Sequence, residues 1–235
     1  NDPYAGGTHL PDLTLVSPVV LGGRETPSFY VANRAHHADV GGPYPGSMGP
    51  AREIYAEGLR IPPIHLVREG WLERSVLELC LANMRGRSER EGDLLAQWSA
   101  NRLGAQRLSE LAEEYGPDAL EARAADQRRW TARLSRQLVE SLPDAEVAVE
   151  QPLEVGDQDA WLRLGLTVAG ASLVFDLSAT DDALDVPYNT PRAVVESAIF
   201  YVLRCLLPAG TPACDGVLEP VELRTRPGSI VAPRP

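Results

Sequence analysis

The apolar residues of this chain change their spacing in blocks, and the order of these blocks is the feature that most limits its fold. Residues 12–20 and 28–35 (DLTLVSPVV and SFYVANRA) are rich in branched and aromatic residues, which indicates two strands. The glycine-containing segment 21–25 lies between them, so the pair predicts a β-hairpin. Helical spacing then predicts helices over residues 69–84, 92–115 and 119–142.

Strand-like alternation returns after Pro143. It predicts strands over residues 145–155, 159–170 and 171–179, with a second hairpin turn at Gly170 and Ala171. A last helix, with Thr190 as its N-cap and Pro191 in its first turn, is expected to end at Leu207. Strands and helices in separate blocks are typical of the α+β class. We therefore predict an N-terminal hairpin, a central helical block, a second antiparallel β segment and a final helix.

Residues 41–65 (GGPYPGSMGPAREIYAEGLRIPPIH) are rich in proline and glycine, which predicts an irregular loop that wraps a site rather than regular structure. We expect a single domain over residues 1–235. Its parts are a motif-bearing segment 1–65, a helical segment 66–142 and a β-rich segment 143–235 that includes the final helix.

The charged residues exclude several kinds of function. The net charge is −11, from 33 acidic residues and 22 lysines and arginines, and all of these 22 are arginine. A phosphate-binding P-loop and a Schiff-base enzyme both require a lysine, so neither can be built from this chain. The acidic balance, without an arginine-rich stripe that carries aromatic residues, argues against nucleic-acid binding.

The sequence also indicates where the chain works. It has no apolar run long enough to cross a bilayer and no basic region followed by an apolar one at its start, so we expect no membrane or export segment. Cys80, Cys205 and Cys214 are widely spaced and form no CxxC pair, which argues against a disulfide framework and a cysteine zinc site. We expect a cytoplasmic protein.

Three of the four histidines lie in two glycine-flanked stretches, GGTHLPD (6–12) and ANRAHHADVGG (32–42). The predicted hairpin brings position 36 opposite Asp12, and strand alternation places His36 on the Asp12 side and His37 on the other side. His9, Asp12 and His36 then suit a divalent cation such as Zn, Mn or Fe. Turn chemistry is the alternative, since aspartate and histidine beside glycine often only satisfy backbone groups.

The motifs together resemble a known family. In order along the chain lie NDPYAGGTHLPDLTLVSPV, FYVANRAHHADVGGPYPGSM, EIYAEGLRIPP, GDLLAQ and FDLSATD, the last followed by YNTPRAVVESAIFYVLRCLL. This set resembles the B-subunit family of the hydantoinase and 5-oxoprolinase enzymes, to which subunits of acetone and acetophenone carboxylases are related. The resemblance covers essentially the whole chain, and AHHADVGG followed by PGSM is its most specific part.

The resemblance implies a partner and a reaction. Family members act with an A-type subunit, or a fused A half, which is an actin-like ATPase that phosphorylates an amide or enolate oxygen of the substrate. The B part then opens the ring of a hydantoin or of a lactam such as 5-oxoproline, or carboxylates a ketone in the carboxylases. We therefore expect a hetero-oligomer with a hydantoinase A-type ATPase subunit, ATP used by that subunit, and a small cyclic amide as substrate.

The resemblance also implies site residues. In family members with a metal in this part of the enzyme, the ligands lie in the HxxD motif and the paired-histidine motif, which here are His9, Asp12 and His36. If the chain is an enzyme component, we expect His37 or Asp39 to take a proton during the reaction.

Some family features lie outside this sequence. The family domain extends before NDPYAGG, where it supplies a further acidic ligand, and beyond SIVAPRP, so the resemblance implies a chain truncated at both ends. Ala179 stands where an FSGT-type segment is usual. Three functions stay open: a component of a cyclic-amide hydrolase, a subunit of an acetone-type carboxylase, or a truncated module that binds the A-type partner without chemistry.

Overall fold

The computed structural model describes residues 1–155 and 158–235, and its mixture of helices and sheets confirms the α+β class. The chain forms two compact units. The first comprises Asn1–Glu121 with Asp185–Pro187, and the second comprises Ala122–Leu184 with Tyr188–Pro235. Among the residues described, no helix combines the length and the apolar character needed to cross a membrane.

The first unit is built on the predicted hairpin. Strands β1 (Asp12–Val19) and β2 (Phe29–His36) are antiparallel and pair along their full length, with Asp12 opposite His36. This register confirms the expected pairing. The following loop contains only two short 3₁₀ turns, Pro45–Ser47 and Ile54–Ala56. After it come β3 (Val67–Arg68), β4 (Trp71–Leu72), α1 (Arg74–Ala82) and α2 (Arg87–Tyr115).

The hairpin packs on helix α2 through an apolar layer and a polar one. Near the hairpin turn, Val19 and Leu21 pack with Ala112 of the helix. Nearer the open end the helix presents two buried amides, Gln97 and Asn101. A further apolar cluster lies beneath the first motif and consists of Leu10, Leu13, Val40, Cys80 and Met84.

The predicted helix over residues 69–84 was wrong at its start. Glu69 and Gly70 both have left-handed backbone angles, with φ of 53° and 82°, and form the two-residue turn between β3 and β4. The helix therefore begins only at Arg74. The predicted helix end at Gly116 is confirmed, because the Gly116 N–H donates to the Ala112 carbonyl and closes α2.

The second unit consists of a four-stranded sheet with helices. Helix α3 (Pro117–Glu140) begins in the first unit and continues into the second. The other elements are β5 (Ala145–Val155), β6 (Gln158–Ala169), β7 (Ser172–Asp176), α4 (Arg192–Leu206) and β8 (Val221–Arg224). Their apolar side chains form one core cluster, which includes Val139, Val168, Leu173, Ile199, Leu203 and Val217.

Two predictions for this unit need correction. Strands β5, β6 and β7 are antiparallel as expected, but β8 pairs parallel to β7, so the sheet is mixed. Thr190 is not the N-cap of α4. Its N–H donates to the Ile230 carbonyl, and Pro191 occupies the cap position in an extended conformation without a side-chain cap.

Candidate metal centre

The open end of the β1–β2 hairpin brings two predicted ligands together. Asp12 is the first residue of β1 and His36 is the last residue of β2, and the antiparallel register places them opposite each other. His36 Nδ1 lies 3.1 Å from Asp12 Oδ1. Because both side chains project from the same face, one ion at this end of the hairpin can reach both.

His9 completes the cluster from the loop before β1. A tight turn, closed by the Asp12 N–H donating to the His9 carbonyl, folds the loop back so that His9 Nδ1 lies 3.3 Å from Asp12 Oδ2. The two imidazole centroids are 5.0 Å apart. One ligand atom from each of His9, Asp12 and His36 lies within 4.8 Å of the others.

The loop that carries His9 is fixed from below. Leu10 is fully buried in the apolar cluster of the first unit. The Asn1 side-chain amide donates to the carbonyls of Leu10 and Leu59 and accepts from the Ile61 N–H. This amide therefore ties the first motif to the far end of the proline- and glycine-rich loop, and the position of His9 depends on a residue 60 positions away from Asn1.

The exposure of the three side chains fits an open metal site. The Asp12 side chain is 15% exposed, whereas those of His9 and His36 are 45% and 53% exposed. The Thr8 hydroxyl donates to Asp12 Oδ2 at 3.2 Å and orients the carboxylate. Two imidazole nitrogens and one carboxylate oxygen suit Zn, Mn or Fe and leave coordination positions for substrate, so the residues present fit such an ion.

His37 points to the opposite face of the hairpin, as strand alternation predicted. Its ring is buried, and Nε2 lies 2.8 Å from Gln97 Oε1. The Gln97 amide nitrogen donates to the Leu13 carbonyl and to Asn33 Oδ1, so its oxygen must accept from His37 Nε2–H. His37 Nδ1 is buried and has no hydrogen-bond partner among the residues described. Burial is the main cause that lowers the pKa of His37.

Asp39 also lies apart from the cluster of His9, Asp12 and His36. Its carboxylate accepts hydrogen bonds from the N–H groups of Gly41, Gly46 and Arg85 and from the Arg85 guanidinium. Burial alone would raise the pKa of Asp39, but these hydrogen bonds outweigh it and lower the pKa to about 2. Asp39 therefore fastens the glycine-rich loop to the residue that precedes Gly86.

The structure thus unites His9, Asp12 and His36 and separates them from His37 and Asp39. A proton-accepting role for His37 or Asp39 remains a prediction. Gln97 was missed by the sequence analysis, although it and Asn101 are polar residues four positions apart, which is the spacing of one helix face. Arg85 and Thr8 were missed as well, because nothing local in the sequence shows that Arg85 contacts Asp39 or that Thr8 contacts Asp12.

Comparison with known proteins identifies the family. The family model described as hydantoinase B/oxoprolinase matches residues 1–235. 5-oxoprolinase 1 from Arabidopsis thaliana is 32% identical over 259 residues, which cover 99% of this chain and 20% of that protein. The B component of a putative D-/L-hydantoinase from Pseudomonas sp. (strain NS671) is 32% identical, with 99% of this chain and 42% of that protein covered.

A solved structure agrees with this match. The crystal structure of the ATP-dependent caprolactamase from Pseudomonas jessenii has a TM-score of 0.90 and 29% sequence identity, and the match covers 100% of this chain and 41% of that chain. This chain therefore spans between about a fifth and two fifths of the length of these relatives. Since the family model matches every residue from first to last, the chain belongs to the hydantoinase B/oxoprolinase family.

Proposed function

We propose that this chain is part of the B component of an ATP-dependent cyclic-amide hydrolase. It would open the ring of 5-oxoproline, hydantoin or N-methylhydantoin after a partner ATPase subunit has phosphorylated the substrate. The observation that carries the proposal is the meeting of His9, Asp12 and His36 at an exposed hairpin end in a member of this family. The relatives named as a 5-oxoprolinase, as a hydantoinase B component and as an ATP-dependent caprolactamase support it.

In this proposal His9, Asp12 and His36 hold a divalent cation, which is Zn, Mn or Fe. Such a cation would supply Lewis acidity toward the amide oxygen or toward a water molecule. Asp12 is the anionic ligand, and the Thr8 hydroxyl keeps its carboxylate oriented. The two half-exposed imidazoles leave the outer side of the cluster accessible to a small substrate.

The proposal assigns the proton-accepting role to His37 in preference to Asp39. Gln97 takes the Nε2 hydrogen of His37, so the lone pair of the neutral ring lies on Nδ1. Because the ring is buried, contact with a substrate requires the side chains that cover it to move. The hydrogen bonds that lower the pKa of Asp39 make its carboxylate a weak base, so Asp39 acts through the loop that it holds.

The proposal includes a hetero-oligomer with a hydantoinase A-type ATPase subunit. Relatives named as the B component of a hydantoinase and as the beta chain of a caprolactamase support an arrangement with more than one kind of subunit. ATP would be used by the partner, since this chain has no lysine for a phosphate loop. A cytoplasmic location is part of the proposal and is supported by three free cysteines.

Reconstitution tests the proposal. The protein is combined with an A-type ATPase subunit, ATP and 5-oxoproline, hydantoin or N-methylhydantoin, and the open-chain carboxylate is measured. Ring opening that needs ATP, is lost in Asp12→Asn and survives in Asp126→Asn is expected, because Asp126 is an exposed residue of α3 that pairs only with Arg129 among the residues described. ATP-dependent carboxylation of a ketone, or association with the ATPase partner without turnover of any cyclic amide, would contradict the proposal.

A further inference from the structure

Arg34 lies beside the metal cluster on the same face of the hairpin. It is paired with Thr14 across the two strands, and the next pair on that face is Asp12 and His36. Residues two apart on a strand project to the same side, so the Arg34 side chain shares the face that carries the candidate ligands.

Two hydroxyl groups hold the Arg34 guanidinium. Nε donates to Thr14 Oγ1 at 3.0 Å, and Nη1 donates to Thr8 Oγ1 at 3.4 Å. The Thr8 hydroxyl in turn donates to Asp12 Oδ2 at 3.2 Å. A single hydroxyl therefore links the guanidinium to the carboxylate of the cluster, and the direction of its hydrogen bonds fixes the order Arg34, Thr8, Asp12.

The remaining donors of Arg34 are open. The residue is exposed, and within the described parts of the chain no carboxylate lies within 4.0 Å of its guanidinium, whereas Arg85 is paired with Asp39. The Nη2 donors likewise contact no acceptor in those parts. A guanidinium that is held on one edge and open on the other can offer its fork to two oxygen atoms of a ligand.

The local charge favours an anion. The charges of Asp12 and Arg34 offset each other, and His9 and His36 are neutral when they act as ligands. A divalent cation in the cluster therefore leaves this face with a net positive charge. A fixed positive charge next to a cation site is unfavourable unless an anion lies between them or bridges them.

We infer that Arg34 binds an anionic group of the substrate that carries at least two terminal oxygens. Such a group is either the phosphoryl group of the activated amide or a carboxylate on the ring. The inference rests on the proposed function and deepens it, since it makes Arg34 the residue that selects charged over neutral substrate forms. Thr14 and Thr8 are then positioning residues, because they act on the ligand only through Arg34.

The test is a titration of the ¹⁵N-labelled, chelator-treated chain with inorganic phosphate and, separately, with acetate, at constant ionic strength. NMR shifts of the backbone amides of residues 12–14 and 34–36 report the dissociation constants. The Arg34 side-chain Nε–H signal, identified by its loss in Arg34→Gln, reports direct contact. Phosphate represents the phosphoryl group and acetate the carboxylate, and the probe that binds more tightly in an Arg34-dependent way tells which source is meant.

The variants are expected to rank by chemistry. Arg34→Gln weakens binding about tenfold or more, since charge and fork are both lost, and Arg34→Lys, which keeps the charge alone, lies between it and the wild type. Thr14→Val keeps the branched shape of a strand residue but removes one orienting hydrogen bond, so we expect binding about fivefold weaker. Arg74→Gln is the matched control, an exposed arginine at the start of α1, and leaves binding unchanged.

Two results would overturn the inference: Arg34→Gln binding both probes as tightly as the wild type, or Arg74→Gln weakening binding as much as Arg34→Gln. The titration needs neither ATP nor the partner ATPase. Failure of ring opening with Arg34-dependent anion binding intact would therefore count against the proposed function alone, and the reverse pattern would count against the role of Arg34 alone.

Discussion

Replacement of Asp39 by asparagine is expected to destabilise the first unit by about 2 kcal/mol at pH 7. The Asp39 side chain is only 6% exposed, and its carboxylate accepts hydrogen bonds from three backbone N–H groups and from the Arg85 guanidinium. Asparagine offers one acceptor oxygen where the carboxylate offers two, and its NH₂ group faces N–H donors. The loop that begins at Gly41 therefore loses part of its attachment.

The magnitude follows from the pKa of Asp39. Hydrogen bonds outweigh burial and lower this pKa from 3.8 to about 2 in the folded chain. At about 1.4 kcal/mol for each pH unit, this difference corresponds to roughly 2 kcal/mol of stability. Because the folded pKa lies below the unfolded one, the stabilisation is complete above the unfolded value of 3.8 and is lost as the pH falls toward 2.

Urea denaturation followed by circular dichroism measures the effect. The stability difference between the wild type and Asp39→Asn should be constant between about pH 5 and 7 and should shrink below about pH 4. Glu78→Gln is the matched control, since it removes a carboxylate that pairs with Arg87 on the surface, where both side chains are about half exposed, and should cost less than about 0.5 kcal/mol. Equal stability of Asp39→Asn and the wild type at pH 7, or a difference that does not change below pH 4, would refute this reasoning.

Two further predictions concern packing around the site. Gly41→Ala should destabilise the chain by about 2 kcal/mol or more in a denaturant titration, because φ is +94° and a Cβ atom would lie 2.5 Å from the Asn83 carbonyl oxygen. Gly23→Ala, where φ is +70° but no atom lies within 4 Å, should cost only about 1 kcal/mol, and equal losses would contradict the role of the close contact. Gln97→Leu should cost about 3 kcal/mol, because it leaves the His37 N–H and the Leu13 carbonyl without their partner. The exposed Gln106→Leu on the same helix should change stability by less than about 0.5 kcal/mol, so a similar loss in both variants would show that the buried network is not responsible.

The hairpin and its register could be predicted because they depend on local signals. Alternating branched residues on both sides of a glycine turn determine which residues pair, and pairing determines which side chains share a face. This logic placed Asp12 opposite His36 and sent His37 to the other face, and the structure confirms both. The helix end at Gly116 followed from the same kind of local signal.

The features that escaped prediction depend on contacts between distant parts of the chain. β8 is a four-residue strand that exists because its backbone pairs with β7, some 50 positions earlier. Thr190 would suit an N-cap, but its N–H is used by the Ile230 carbonyl. The partners of Asp39 and His37, Arg85 and Gln97, lie 46 and 60 positions away and have no spacing that marks them.

The central claim is that His9, Asp12 and His36 form a divalent metal site, and metal content tests it most directly. The chain, Asp12→Asn and the surface control Asp126→Asn are dialysed separately against Zn, Mn and Fe, and bound metal is determined by elemental analysis. The account predicts about one ion per chain in the wild type and the control, with affinity reduced about tenfold or more in Asp12→Asn. Equal metal in Asp12→Asn and the wild type would contradict it.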